Sequence, residues 1–410
     1  MTPSADPVGQ RSETVRRANL GAIVRELHLR GPLSRSELVA RTGLTRSAIR
    51  GLIGELTAAG LADEVPAIPL GTPGRPSPLV RPEPEGALVL ALEIAVDSLA
   101  AAIVGLGGEI LQQGRMDRPR DHVSVDAIVS DLAGLVERIL PDRRRGALIG
   151  VGVGVAGVVR RSDGLVSTAP NLGWRDAPVG ERLAAGLGLA VPLDVANEAD
   201  LGAVAELQRG AARGADHLIY LSGEVGVGGG IIVDGRAITG VAGYGGEIGH
   251  MPINPAGIRC GCGAIGCFET EVGAVALLRR AGRPVDGGRA GIDAVLASAA
   301  AGDPLALEAL AETGRWLGLG LAGLVNIFDP RVIVFGGLFE QLYPFIEPAV
   351  QAALDRSALR APRRLVSLVP SALGEDAALV GAAELAFEPL LTDPARWLRP
   401  RGALLERASA

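Results

Sequence analysis

The 410-residue chain contains three cysteines, and all three fall in one eight-residue stretch, at Cys260, Cys262 and Cys267, shortly after His250 in the run Glu247-Ile248-Gly249-His250. One imidazole and three thiolates are the donor set of a tetrahedral zinc site, and an odd cluster of this kind points to metal rather than to a disulfide. Glycines at 261, 263 and 266 let the backbone fold tightly enough for three sulfurs to face one point. Four protein ligands leave no open position, so such a metal is structural and not a Lewis acid. The competing reading is a set of buried, unliganded thiols beside a histidine.

A second constellation lies at the front. Helical spacing of apolar residues predicts helices over 13–30, 34–42 and 45–59, with Ser34 and Glu37 forming a capping box at the second and Gly43 ending it. The third presents Thr45, Arg46, Ser47 and Arg50 in its first turns, preceded by Arg35 in the second. Two short helices joined by a glycine turn fit a helix-turn-helix, whose second helix meets base edges and phosphates in the major groove. Residues 60–82 then read as a β-hairpin wing, with Arg75 at its Gly74-Arg75-Pro76 tip as a candidate for the minor groove. The blander alternatives are a three-helix interaction module and a solvated turn arginine.

The charge distribution agrees with contact to a polyanion at the front alone. Residues 1–82 carry 11 arginines against 7 acidic residues, and the remainder 29 against 39. There is no lysine, which reads as coding bias. With 48% apolar residues the chain can bury at least two cores. No uncharged apolar run reaches membrane-spanning length and the first ten residues lack a signal-peptide core, so a cytoplasmic location and no membrane partner are expected.

Beyond residue 84 the pattern is an α/β alternation. Strands are expected near 87–94, 100–105, 147–155, 191–195, 217–221, 229–233, 332–335 and 365–369, with helices near 125–140, 178–187, 199–212, 304–327, 342–354 and 376–387. The order of elements repeats from 87 and from 217, which suggests two lobes around a cleft. Past residue 389 no core face is evident, and a short helix or loose tail is expected.

Taken together, Arg16-Arg17-Ala18-Asn19, the run from Gly31 to Leu38, Thr42-Gly43-Leu44-Thr45, Gly74-Arg75-Pro76 and the His250–Cys267 segment resemble the ROK family of repressors, open reading frames and sugar kinases, from about Val15 to Phe387. The resemblance implies a winged helix-turn-helix (1–82), a first actin-like or ribonuclease-H-like lobe (83–198), a second lobe with the zinc knuckle (199–390) and a tail (391–410). It implies that Gly157, Asn171, Asn197, Glu198, Glu247, His250 and Glu269 contact a sugar, His250 also binding the zinc. Asn171 and Asn197 each also admit a plain turn-capping role.

Three departures from the family pattern argue against phosphotransfer. The first phosphate loop reads Glu93-Ile94-Ala95-Val96-Asp97 and lacks its glycines; the second reads Glu224-Val225-Gly226-Val227-Gly228; and Glu198 stands where the kinases carry the catalytic aspartate. Two added carboxylates oppose a triphosphate, and an extra methylene misplaces a base by about an ångström. The adenosine-region glycines of Val334-Phe335-Gly336-Gly337 remain. The expected protein is a sugar-responsive regulator, a repressor by resemblance, acting on palindromic operator DNA as a homodimer or homotetramer. Rival readings are a DNA-binding sugar kinase and a regulator controlled by protein docking.

Overall fold

The computed structural model describes residues 12–66, 78–118, 123–141, 144, 147–223 and 225–398. The chain opens with α1 (Ser12–Arg30), β1 (Leu33–Ser34), α2 (Arg35–Thr42), α3 (Arg46–Ala58), β2 (Ala62–Val65) and β3 (Leu79–Pro82), the strands forming an antiparallel sheet in the order β1-β3-β2. The predicted capping box is present. Ser34 Oγ accepts from the Glu37 amide at 3.2 Å, and Glu37 Oε2 accepts from the Ser34 amide at 2.7 Å. Thr45 caps α3 by accepting from the Ala48 amide at 3.2 Å. Ser34 and Thr45 therefore stand just before helices that the sequence reading started on them. Arg75 and the expected hairpin tip lie outside the described residues.

The inward residues of these helices, Leu20, Ile23, Val24, Leu27, Leu38, Ile49, Ile53 and Leu56, are buried, each contributing about 1.5–3 kcal/mol. Their core does not stop at the front segment. It runs on through Val80 and Ala87 into Phe387, Leu390 and Leu391 near the other end of the chain.

The first lobe contains β4 (Leu88–Ile94), β5 (Ser98–Gly105), β6 (Ile110–Asp117), α4 (Val125–Ile139), β7 (Leu148–Val155), β8 (Val158–Arg160), β9 (Leu165–Ala169), β10 (Trp174–Ala177), α5 (Val179–Leu187), β11 (Leu193–Asn197) and α6 (Glu198–Gln208). Its main sheet has the order β11-β7-β4-β5-β6, and β8 to β10 form a small sheet of their own. The second lobe contains β12 (Leu218–Gly223), β13 (Val227–Val233), β14 (Arg236–Ala237), α7 (Phe268–Val272), α8 (Ala274–Arg280), α9 (Gly288–Ala300), α10 (Pro304–Phe328), β15 (Val332–Gly337), α11 (Leu338–Ser357), α12 (Arg360–Leu365) and β16 (Ser367–Pro370), and is followed by α13 (Ala377–Thr392). Its sheet has the order β14-β13-β12-β15-β16. Both five-stranded sheets thus place the first strand centrally, two antiparallel strands to one side and two parallel ones to the other.

Strand β4 is buried on both faces, which is why it reads as a continuous apolar run. Leu88, Leu90, Leu92 and Ile94 face the core containing α4 and α5, while Val89 and Ala91 face the core containing α13. Within the stretch 199–390 expected to form the second lobe, α6 packs against both α13 and β13, and α13 returns to the first sheet. The alternating glycines of β7 make this possible: a methyl at Gly152 would sit inside the Ala382 carbonyl. Nor is the stretch after residue 389 without a core face, since Leu390 and Leu391 are buried and Trp397 and Leu398 pack against the same core. Among the described residues no single helix is long and apolar enough to cross a membrane.

Candidate functional site

His250 closes a single 3-10 turn (Ile248–His250), and the cysteines follow in a loop pinned by the bridges Pro252 to Cys267 and Arg259 to Ile265. Gly263 and Gly266 take positive φ of 97° and 69°, which side-chain-bearing residues rarely adopt. The four donor atoms of His250, Cys260, Cys262 and Cys267 lie within 4.8 Å of one another. Cys260 Sγ is 3.6 Å from His250 Nδ1, and Cys262 Sγ is 3.6 Å from Cys267 Sγ. A tetrahedral ion with bonds of about 2.3 Å needs sulfurs about 3.8 Å apart, so this cluster could hold a metal of zinc's size with little adjustment. Burial raises the Cys260 and Cys267 thiols, and the Glu269 carboxylate raises Cys260 further.

Around the cluster stand three of the predicted carboxylates and amides. Glu269, one residue into α7, accepts from the Cys260 thiol at 2.8 Å, with the same oxygen 3.8 Å from His250 Nδ1. Burial pushes the Glu247 carboxyl above its ordinary value; His250 opposes the rise and Glu269 adds to it. Asn171, exposed in the turn between β9 and β10, comes from the other lobe. Its Nδ2 and Glu269 Oε2 close on Gly226 so tightly that a methyl there would lie 3.3 and 3.1 Å from them. Asn171 and Glu269 therefore both border Gly226, and a segment of the second lobe reaches the first with Tyr244 Oη 2.8 Å from Ser167 Oγ.

Asn197 and Gly157 form a pair of their own. Asn197 Nδ2 donates to the Gly157 carbonyl at 2.9 Å, and its Oδ1 caps α6 by accepting from the Ala199 and Asp200 amides at 2.8 and 3.3 Å. The capping role is real, and it leaves one amide hydrogen of Asn197 for a ligand. Glu198 opens α6 and is half-buried. The sequence reading missed Asp200, two residues further on. It is buried, its Oδ1 has no hydrogen-bond partner, and its pKa is raised to about 7 by burial and by Glu247, with Arg161 opposing. Its place in the first turn after an N-cap asparagine was the available signal.

The surroundings of β4 differ. Glu93 is buried on β4 and takes a hydrogen bond from Arg115 Nη2 at 3.2 Å; the same guanidinium lies 3.6 Å from Asp376. Arg289 of α9 pairs with Glu375, ahead of α13, at 2.5 Å. Glu224 lies outside the described residues.

At the front, Thr45, Arg46, Ser47 and Arg50 are all exposed on α3, and Arg46 and Arg50 have no ion-pair partner among the described residues. Arg35 is different. Its guanidinium grips Glu64 of β2 with both arms, Nε to Oε1 at 2.7 Å and Nη2 to Oε2 at 2.6 Å, so it ties α2 to the small sheet instead of standing clear.

The ROK family model matches residues 89–388, almost the whole two-lobed region. The chain belongs to the ROK family. Among ROK proteins, a glucokinase of Streptomyces coelicolor is 33% identical over 319 residues, 74% of this chain and 98% of its own. A xylose repressor of Bacillus spizizenii is 27% identical over 379 residues, 92% of this chain and 97% of its own. The crystal structure of a ROK family transcriptional regulator, a homologue of the Escherichia coli Mlc protein, superposes with a TM-score of 0.74 at 27% identity, covering 96% of this chain and 99% of that one. The kinase match uses up nearly all of the kinase yet leaves a quarter of this ROK chain over, whereas the repressor match takes in most of that remainder.

Proposed function

We propose that this ROK protein is a sugar-responsive transcriptional repressor whose kinase-like module binds a sugar without phosphorylating it. The observation that carries the reading is the front segment: a helix pair with an open Thr45, Arg46, Ser47 and Arg50 face and a following antiparallel sheet, beside a match to a xylose repressor over 92% of this chain against 74% for a glucokinase. This is the arrangement of a winged helix-turn-helix, with α3 as the recognition helix. Two half-sites one helical turn apart require a homodimer or homotetramer.

The zinc would be held by His250, Cys260, Cys262 and Cys267, and its contribution is to fix the loop that carries the effector-binding groups. With Nδ1 turned toward the thiols, His250 keeps Nε2 for a sugar hydroxyl. Glu269, Glu247 and Asn171 supply acceptors and a donor at neighbouring positions, as a polyol requires, and Glu198, Asn197 and Gly157 line the other wall.

Loss of phosphotransfer rests on the opposite half of the cleft. Glu93 and Asp376 sit on Arg115, Glu375 sits on Arg289, and Asp97 lies close enough to raise the Glu375 carboxyl against the pull of Arg289. With Arg115 and Arg289 already paired to these acids, a triphosphate gains no free cation from either. The glucokinase relatives favour the second reading, an active kinase that also binds DNA.

One experiment separates them. DNA bound by the purified protein is enriched and sequenced with and without D-xylose and D-glucose, and ADP release is followed with the same sugars. A defined operator whose occupancy falls with a sugar, and no turnover, is expected. Turnover above about 1 per second, in the ordinary enzyme range, overturns the non-catalytic reading.

A further inference from the structure

Helix α6 has one end in the proposed sugar pocket and the other in the DNA reader. Asn197 caps its N-terminus, and Glu198 and Asp200 occupy its first turn. Arg209 is its C-cap, about 16 Å away at 1.5 Å per residue. There the Arg209 guanidinium is at the centre of a buried cluster drawn from three regions. Its Nε bonds Glu384 of α13, its Nη1 donates to the Gly107 carbonyl at 3.0 Å, and its Nη2 reaches the His28 carbonyl at 3.3 Å.

His28 belongs to the last turn of α1 and is completely buried. Its Nδ1 accepts from the Gly107 amide at 3.0 Å, and its Nε2 lies 3.0 Å from Glu384 Oε2 and 2.8 Å from Arg209 Nη2. The ring also lies 4.7 Å from that of Phe387. Four residues on from Arg209, Arg213 reaches the Leu29 carbonyl at 3.4 Å. Two arginines thus hold carbonyls of the last turn of α1, groups that have no partner within their own helix and sit at its negative end. Burial alone would push the Glu384 carboxyl up, yet His28 and Arg209 hold it below its ordinary value.

The helix between these two ends has no slack. A methyl at Gly381 of α13 would sit inside the Leu201 carbonyl of α6, and one at Gly230 of β13 would lie 2.5 Å from the Ala199 carbonyl. Backbones in direct contact on two sides transmit displacement of one end to the other, because close-packed elements shift as units and do not deform continuously.

We infer that α6 is a rigid lever between the sugar pocket and the DNA reader, and that Arg209, with Glu384 and His28, is the joint through which it sets the angle of α1. This rests on the sugar-responsive reading and adds the route by which the sugar is felt. Arg209 is a positioning residue: it touches neither ligand nor DNA, and acts through α1.

The test uses the full chain and the variants Arg209→Gln and Arg209→Lys, with D-xylose and D-glucose as probes. Three quantities are read: the sugar Kd by calorimetry, the ratio of operator affinities without and with sugar, and amide hydrogen exchange over residues 12–30. For Arg209→Gln the expected result is a sugar Kd within threefold of wild type, an affinity ratio reduced to below about twofold, and faster, sugar-independent exchange over 12–30. Arg209→Lys, which keeps the charge but loses the planar fork, should restore part of the ratio. If Arg209→Gln keeps the wild-type ratio, the joint is overturned. Should Arg209→Gln fail to fold, the Lys variant decides, and an unchanged ratio in it overturns the joint. If wild type responds to neither sugar, the sugar-responsive reading fails on its own terms. The joint is then judged by sugar-free exchange, where acceleration confined to 12–30 in Arg209→Gln supports it and no acceleration overturns it.

Discussion

The two halves of the central cleft treat their acids in opposite ways. Around the thiol cluster, half-buried Glu247 and buried Asp200 influence each other and both have raised pKa, and Asp200 keeps an oxygen without a hydrogen-bond partner. Around β4, Glu93, Asp376 and Glu375 are held by Arg115 and Arg289, and Glu375 is pulled below its ordinary value chiefly by its hydrogen bond from Arg289. The first half is left under-satisfied in a way that neutral hydroxyls can relieve. The second has satisfied itself. On the proposed reading, this chain related to kinases keeps the surroundings of a sugar and fills those of a phosphate with internal ion pairs.

The largest break in this contrast should come from the metal. Cys267→Ser, or removal of the zinc by a chelator, is expected to destabilise the second lobe by more than about 3 kcal/mol and to abolish sugar binding, since α7 with Glu269 starts at Cys267. Zinc content by elemental analysis and sugar binding by calorimetry check this; a zinc-free protein that binds sugar normally contradicts it. Next in size is Arg115→Ala. It removes from Glu93, 6% exposed and next to last in an apolar strand, the guanidinium that donates to it at 3.2 Å. A loss of about 2–4 kcal/mol in urea unfolding is expected, and Glu93→Gln in the same background should recover most of it.

What the sequence showed and what it hid follow from the same distinction between local and non-local causes. Cap chemistry was readable at Ser34 and Glu37 because partner and donor lie within three residues, and apolar runs marked the strands β4, β7 and β12. Strand β6 was not foreseen: it is an edge strand without a buried residue, Ile110–Asp117, defined by pairing with β5 and not by its own pattern. The return of α13 to the first sheet depends on Gly152 opposite Ala382, some 230 residues apart, which no window along the chain can see. Within the site, the metal donors were legible from their clustering. The separation of Arg35 from Arg46 and Arg50 was not, because only the fold brings Glu64 to Arg35. Asp200 carried a local hint, but its raised pKa arises from burial and from Glu247 on another segment, with Arg161 opposing.

Asp200 offers a smaller, pH-dependent test of the under-satisfied half. In the unfolded chain its carboxyl ionises near 3.8, whereas folded it titrates at about 7. Below 3.8 both states carry the proton. Between these values only the folded state does, so stability from this group falls as pH rises through the interval and stays at its lowest above 7. Asp200→Asn removes the loss, and should gain on the order of 1–2 kcal/mol over wild type at pH 8 but little at pH 4. Urea midpoints at both values decide it, and an equal difference at the two pH values sinks the assignment.

The smallest effect is expected where the phosphate half crosses from lobe to lobe. Arg289 and Glu375 are respectively 64% and 60% exposed as side chains, so despite a 2.5 Å contact their pairing is screened by water and salt. Arg289→Ala should shift unfolding by no more than about 0.5 kcal/mol, a difference that vanishes in high salt. Arg115→Ala, by contrast, should remain costly there, since salt does not reach Glu93. The same pair of variants sharpens the claim about nucleotide. If ion pairing at the surface alone kept ATP out, Arg289→Ala would acquire measurable ATP binding; if the buried Glu93 and the glycine-free turn behind it are what matter, neither variant will. Calorimetric titration of both variants with ATP distinguishes the two, and binding by Arg289→Ala would mean that the phosphate half is latched and not filled.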